Sequence, residues 1–314
     1  MNKRKIKRIN STNITIDEAL NNYCNELISK GVTKKSIENT KNVLYIFKRD
    51  NQLDGDEVLS TIDESVIHSW TIKMLDSDLK TASVNSYLAR MRAFLYWCMN
   101  HELIKRFKVK LVKYQQQPVK YFTDDELRIL TKKPNKDDFV EYRTWCIICF
   151  ILATGARAGT ISEIKLEDVD FKAHTVAYRH LKNKNTAIIP LSNSIVNILT
   201  NFLHDWNTGS EYLFTDVSGN QLSVSAIRQA LEKYEKRRGV KVLGPHALRH
   251  SFARGWIRNG GGAFQLQQML THSDLTMTRR YVQLFSDDIE VESYNPLDSI
   301  KHSENRTKRV QRMR

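Results

Sequence analysis

The 314-residue chain has no uninterrupted apolar stretch of the length needed to cross a bilayer. The longest, around Trp145–Ala153, is about half a span and reads as a core helix. No apolar segment follows the basic opening MNKRKIKRIN, which excludes a secretory signal and leads us to expect a cytoplasmic protein with no membrane partner. Cysteine is scarce. Cys24 and Cys98 stand alone, while Cys146 and Cys149 form a C-x-x-C inside the apolar run WCIICFILA. No second Cys/His pair sits at ligand spacing, so these read as buried thiols rather than half of a zinc site or a redox pair. No carboxylate cluster is offered to a metal ion, and no internal repeat is visible. Acidic residues are outnumbered, 35 against 49 basic, which leaves a formal charge of +14 and a pI near 9.5. The excess gathers at both ends, in Lys3, Arg4, Lys5, Lys7 and Arg8 and in Arg306, Lys308, Arg309, Arg312 and Arg314. A polyanion partner is the natural inference, because neutralised phosphates release condensed counterions. Charged, solvated tails would look the same.

What is present is enough for two ordinary domains: 41% hydrophobic and 9% aromatic residues describe a globular chain. A basic arm, 1–14, precedes a helical module over 15–108. Its first helix carries a capping box of Thr15 and Glu18, a face of Leu20, Tyr23, Cys24, Leu27 and Ile28, and Gly31 at its end. A second helix follows Thr33, with Ile37, Val43, Leu44 and Phe47 inward. A third starts near Asp63 with Val66, Ile67, Trp70 and Met74, and a fourth spans about Thr81 to Met99. Lys73, Lys80, Arg90 and Arg92 lie near the polar faces of this module and are candidate contacts to a nucleic-acid backbone, although a solvated face explains them equally. Residues 109–121, basic and glutamine-rich with Pro118, read as a linker. The second domain, 122–286, opens with a Thr123/Glu126 cap. Its pattern predicts helices at Glu141–Thr154, Ser192–His204, Ser223–Arg238, His246–Arg258 and Phe264–Leu270, and a short one bearing Tyr281. A hairpin is expected from His174–His180 and Thr186–Leu191. A tail, 287–314, completes the chain. The fold class is therefore mostly α with a small β-sheet.

Four elements of the second domain occur in order: TGARAGT with Arg157, the turn KNKN with Lys182 and Lys184, PHALRHSFA with His246, Arg249 and His250, and THSDLTMTRRY. In the last, His272 stands nine residues before Tyr281. Each alone is weak; the ordered set is specific. The set resembles the tyrosine recombinase (phage integrase) family, most like the integrases of Gram-positive mobile elements. Thr154–Arg157 is similar to the family's T-G-x-R, His246–Ala253 to its H-x-L-R-H-[ST]-F-A, and Leu270–Ser273 with Tyr281 to its L-G-H-[SA] and tyrosine. The likeness covers the catalytic half strongly and the helical module weakly. It implies a SAM-like helical core-binding domain joined to a mixed α/β catalytic domain, clamped on double-stranded DNA.

The resemblance further implies a metal- and ATP-independent enzyme with no cofactor. Arg157 and Arg249 suit the nonbridging phosphate oxygens, since a guanidinium is always charged and presents a planar fork. His246 and His272 would bond the same phosphate or orient the nucleophile. Tyr281 would attack phosphorus and hold the DNA as a 3′-phosphotyrosine. Lys182 aligns best with the family's hairpin lysine, which would protonate the departing 5′-oxygen; Lys184 is the alternative. His250 is expected to stand behind these groups. Two departures matter. The family's acidic residue, three positions after the first arginine, is Thr160 here, with Glu163 nearly a helical turn further on; and Thr271 replaces the glycine before the histidine. The resemblance implies integration and excision of a mobile element by a tetramer on paired sites, acting at the nucleoid, with an accessory DNA-bending or directionality protein. Asp287–Leu297 is the segment nominated to dock on a neighbouring protomer. Chromosome-dimer resolution, a type IB topoisomerase and a non-catalytic DNA-binding regulator are the alternatives.

Overall fold

The computed structural model describes residues 14–54, 56–113, 118–135, 137–179, 186–206, 208–272 and 274–285. The chain divides into two compact units, Met1–Gln117 and Pro118–Arg314. In the first, four helices form where the apolar spacing places them: α1 (Ile16–Ser29), α2 (Lys34–Asn51), α3 (Glu64–Leu75) and α4 (Thr81–Asn100). Thr15 and Glu18 close a reciprocal cap on α1, and Thr33 and Asp63 cap α2 and α3, so the orphan amides of each first turn are met. Phe47, Trp70, Leu88 and Phe94 are fully buried at the centre. Ile28, expected on the buried face of α1, is instead 60% exposed, one residue before that helix ends at Ser29. The start of the segment read as a linker packs on this unit. Val109 is buried, and Val112 exchanges two 2.8 Å hydrogen bonds with the side chain of Asn85.

The second unit is built around α6 (Phe139–Thr154), which is apolar nearly all round and buried on almost every side. Around it pack α5 (Asp124–Thr131), α8 (Asn193–Asp205), α9 (Val224–Arg237) and α10 (Pro245–Arg258). The short α11 (Ala263–Met269) and α12 (Leu275–Phe285) lie against α10. Cys146 is fully buried within α6 and Cys149 half-buried, both with thiols pushed up in pKa by desolvation, to about 12 for Cys149. One α-helix and one strand of this unit escaped the sequence reading. A six-residue helix, α7 (Ala158–Glu163), starts directly at Arg157, and a two-residue strand, β1 (Val169–Asp170), adds to the expected hairpin. Both are too short to show a period. The resulting sheet is antiparallel in the order β1, β2 (Thr175–Tyr178), β3 (Ala187–Pro190), with Val176 opposite Ile189 and Tyr178 opposite Ala187. Among the described residues no helix is long and apolar enough to cross a membrane.

Candidate active site

The site forms where α6 ends. Gly155 closes that helix in the left-handed region, φ +66°, and is packed so tightly that a β-carbon there would stand 2.6 Å from Phe252 and from Leu270. This close approach joins the end of α6 to α10 and to the turn after α11. The Gly155 carbonyl consequently accepts a 2.6 Å hydrogen bond from Arg249 Nη1. Arg249, buried on α10, also donates through Nη2 to the Leu270 carbonyl at 2.7 Å and to His272 Nε2 at 2.9 Å. Arg157, at the N-cap of α7, donates through Nη1 to the same Leu270 carbonyl at 3.3 Å and to Thr271 Oγ1 at 3.0 Å. One carbonyl oxygen thus bridges two guanidinium groups that are 92 residues apart in the chain.

The start of α10 is held from beneath. Glu235, fully buried near the end of α9, accepts from the Leu243 amide at 2.9 Å and the Gly244 amide at 3.2 Å. Gly244, at φ +73°, then turns the chain into Pro245, whose ring suits a first helical turn. His246 follows, exposed, with Arg249 and His250 one turn on along the same side of the helix.

His272 and Tyr281 complete the arrangement. Because Arg249 donates to His272 Nε2, the ring carries its proton on Nδ1, which donates to the buried Thr278 hydroxyl at 2.9 Å. Tyr281, on α12 and 8% exposed, stacks almost parallel to the His272 ring, centroids 6.0 Å apart. Its hydroxyl lies 2.7 Å from His250 Nδ1.

The electrostatics are unusual in one respect. Among the described residues neither Arg157 nor Arg249 has a carboxylate within ion-pair distance; their partners are carbonyls, a hydroxyl and an imidazole. Burial first, then repulsion from Arg157, brings Arg249 down to about 10, still far above neutrality, and burial lowers Arg157 as well. Desolvation, then Arg249 and Arg157, lowers His272 to about 4; desolvation, then His246, Arg249 and Arg280, brings His250 to about 4. Both imidazoles are neutral at physiological pH. Partial desolvation and the guanidinium groups of Arg228, Arg249 and Arg157 lower exposed His246 too. Burial raises the Tyr281 phenol, while Arg249, Arg157 and Arg280 pull it back.

The structure therefore brings Arg157, Arg249, His250, His272 and Tyr281 into one hydrogen-bonded and stacked cluster. His246 is close enough to shift with its arginines, without a described hydrogen bond to them. Lys182 and Lys184 lie outside the described residues, as does Asp287–Leu297; strand β2, which leads toward the lysines, ends at buried Tyr178, near enough to Arg249 to feel its charge. Thr160 is half-buried and Glu163 exposed on α7, bordering a small recess with Asp168, Tyr178 and Arg179. Among the described contacts neither touches Arg157 or Arg249. The sequence reading missed Thr271 as a partner of Arg157, although its replacement of a glycine was a signal; His250, expected behind the reacting groups, is in direct contact with the Tyr281 hydroxyl. In the helical unit, Lys80 is exposed at the N-cap of α4, Arg90 and Arg92 are half-buried, and the Lys73 ammonium donates to the Asp50 carbonyl.

Comparison with known proteins gives a consistent picture. The model of the phage integrase family matches residues 120–287, more than half of the chain. The tyrosine recombinase XerD of Staphylococcus epidermidis is 26% identical over 290 residues, covering 88% of this chain and 96% of that protein. Among solved structures, the Tn1549 transposon integrase in complex with a circular intermediate DNA superposes with a TM-score of 0.69 at 18% identity, over 84% of this chain and 94% of that one. A lambda integrase tetramer bound to a Holliday junction gives 0.70 at 18% identity, over 88% and 81%. These structures share the fold described above.

Proposed function

Since this chain belongs to the phage integrase family and is a tyrosine recombinase by that membership, we propose that it cuts and rejoins double-stranded DNA at specific sites to integrate and excise a mobile element. The observation that carries the chemistry is the pair of guanidinium groups held side by side with no counter-carboxylate among the described residues. Like charges this close, one buried and the other half-buried, are unfavourable unless an anion joins them. A phosphodiester supplies that anion, and its charge spreads over the nonbridging oxygens as phosphorus becomes five-coordinate, so preset cationic donors favour the transition state over the ground state. Arg157 and Arg249 take this role, with His246 at the rim of the same site. Tyr281 is the nucleophile, forming a 3′-phosphotyrosine that conserves the bond energy for rejoining. Neutral His272 fixes the Arg249 fork on one side and the phenol ring on the other. Lys182, with Lys184 in reserve, protonates the 5′-oxygen. No step calls on a metal ion or ATP. Lys73, Lys80, Arg90 and Arg92 are proposed backbone contacts of the helical unit.

A tetramer on two paired duplexes is the proposed working assembly, supported by the lambda integrase of like fold that was solved as a tetramer on a Holliday junction. Integration rather than housekeeping is the reading we hold, supported by the fold shared with a transposon integrase. The XerD likeness favours a second reading, resolution of chromosome dimers. Covalent trapping separates them. A library of randomised, nicked duplexes is incubated with the protein, and detergent-resistant adducts are sequenced. Sites at the boundaries of the element carrying this coding sequence support integration; one chromosomal site found also in strains lacking that element supports resolution. An adduct undiminished in Tyr281→Phe rejects the nucleophile.

A further inference from the structure

Phosphotyrosine formation releases the phenolic proton, and the site contains three histidines that could receive it. We propose that His250 is the proton acceptor for Tyr281, a catalytic residue in direct contact with the attacking oxygen. The proposal rests on the recombinase reading above. His250 Nδ1 lies 2.7 Å from the Tyr281 hydroxyl, with the ring tilted 51° to the phenol so that its edge, not its face, meets the oxygen. The other two histidines are differently disposed. His272 has both nitrogens engaged, Nε2 accepting from Arg249 and Nδ1 donating to Thr278, and it stacks face-on against the phenol at an interplanar angle of 6°. His246 is exposed and makes no described hydrogen bond to the phenol.

Tyr281 Oη bonds to phosphorus while the bond from phosphorus to the 5′-oxygen breaks; the phenolic proton passes to His250 Nδ1, and the departing oxygen takes a proton from Lys182. In rejoining, the 5′-hydroxyl gives its proton back to Lys182 as it attacks phosphorus, the phosphotyrosine bond breaks, and His250 returns its proton to the tyrosine. The surroundings also time this transfer. His250 faces His246, Arg249 and Arg280, which together with burial keep it neutral and a poor base in the free protein. A bound phosphate adds negative charge beside Arg249 and makes the imidazolium easier to form. Ionisation of the phenol is thereby tied to occupancy of the site by DNA.

The test uses the full-length protein and a nicked duplex recovered by trapping, with single-turnover adduct formation followed from pH 5.5 to 9. His250→Ala is expected to slow adduct formation by about 10²-fold or more while duplex binding changes by less than about threefold, and free imidazole is expected to restore part of the rate. His250→Asn places an amide near the position of Nδ1 and can keep the hydrogen bond without taking a proton, so it should be as slow as His250→Ala. A 5′-phosphorothiolate duplex, whose sulfur leaves without protonation, should rescue Lys182→Ala and leave His250→Ala slow. Near wild-type rates in His250→Asn would show that the residue only orients the phenol, and equal or faster cleavage in His250→Ala would show a resting-state contact; either overturns the assignment. Should both variants misfold by circular dichroism, the wild-type profile decides: a rate rising with pH through one ionisation that moves when the duplex concentration is saturating supports the transfer, and a flat profile overturns it. Adduct persisting in Tyr281→Phe would fault the recombinase site itself, a separate outcome.

Discussion

Thr271 sits where two opposing effects can be measured apart. It is a β-branched residue at φ +49°, a conformation costing an L-residue about 1–2 kcal/mol, and it occupies the place of a glycine in the family pattern. In return its hydroxyl accepts a 3.0 Å hydrogen bond from Arg157. A bond from a charged donor contributes about 1.5–3 kcal/mol when buried. Arg157 is half-buried and retains the Leu270 carbonyl, so about 1 kcal/mol is the reasonable share here. Thr271→Ala loses the bond and keeps the strain; it should destabilise the catalytic unit by about 1 kcal/mol. Thr271→Gly loses the bond and sheds the strain, but a glycine gains about 0.5–1 kcal/mol of unfolded-chain entropy, leaving it near wild type. The glycine variant should therefore melt about 2–4 °C above the alanine variant. Both should form adduct roughly tenfold more slowly, equivalent to about 1.4 kcal/mol, because Arg157 has lost one of two anchors. Thr271→Ser should recover the rate. Thermal melts paired with single-turnover trapping decide the matter. Full activity in Thr271→Gly, or equal melting of the glycine and alanine variants, would refute this account of the residue.

Other substitutions probe the same cluster. In Gly155→Ala the new methyl meets Phe252 and Leu270 at 2.6 Å in a left-handed conformation; a loss of about 2–4 kcal/mol in urea unfolding is expected, with weakened adduct formation as the Arg249 acceptor shifts. Arg249→Ala should lower cleavage by at least about 10²-fold while gel-shift affinity falls only a few-fold, and equal losses would mean a purely binding role. Lys182→Ala should be restored by a 5′-phosphorothiolate duplex; absence of rescue would pass the acid's role to Lys184. Stability should also fall with acid. His272 titrates near 4 in the fold and near 6.5 when unfolded, so between those values the unfolded chain binds the extra proton and is favoured as pH drops. The contribution is at most about 3–4 kcal/mol, complete above 6.5 and lost toward pH 4. Denaturation curves at pH 7.5, 5.5 and 4.5 should show a flatter dependence in His272→Asn.

Much of this could be read without coordinates. The Thr15/Glu18 and Thr123/Glu126 boxes, the apolar spacing of Ile37, Val43, Leu44 and Phe47, and the glycine ending α6 act within about one helical turn, and such short-range interactions leave their pattern in adjacent residues. The motif spacing marked Arg157, Arg249, His272 and Tyr281 as one set, because a reaction that needs those groups limits which residue types can occupy them. Helix α7 and strand β1 were not legible, being shorter than any detectable period. Nor could spacing decide which histidine meets the phenol. His246 and His250 share one side of α10, and only the docking of α12 on that helix selects His250, across 31 residues of chain. The same holds for Arg249 with Gly155, 94 residues away, and Arg157 with Thr271, 114 away. Local order follows from neighbours in the chain; these three contacts depend on how α6, α10 and the turn after α11 close together around Gly155, a packing event in which no single segment contains the information.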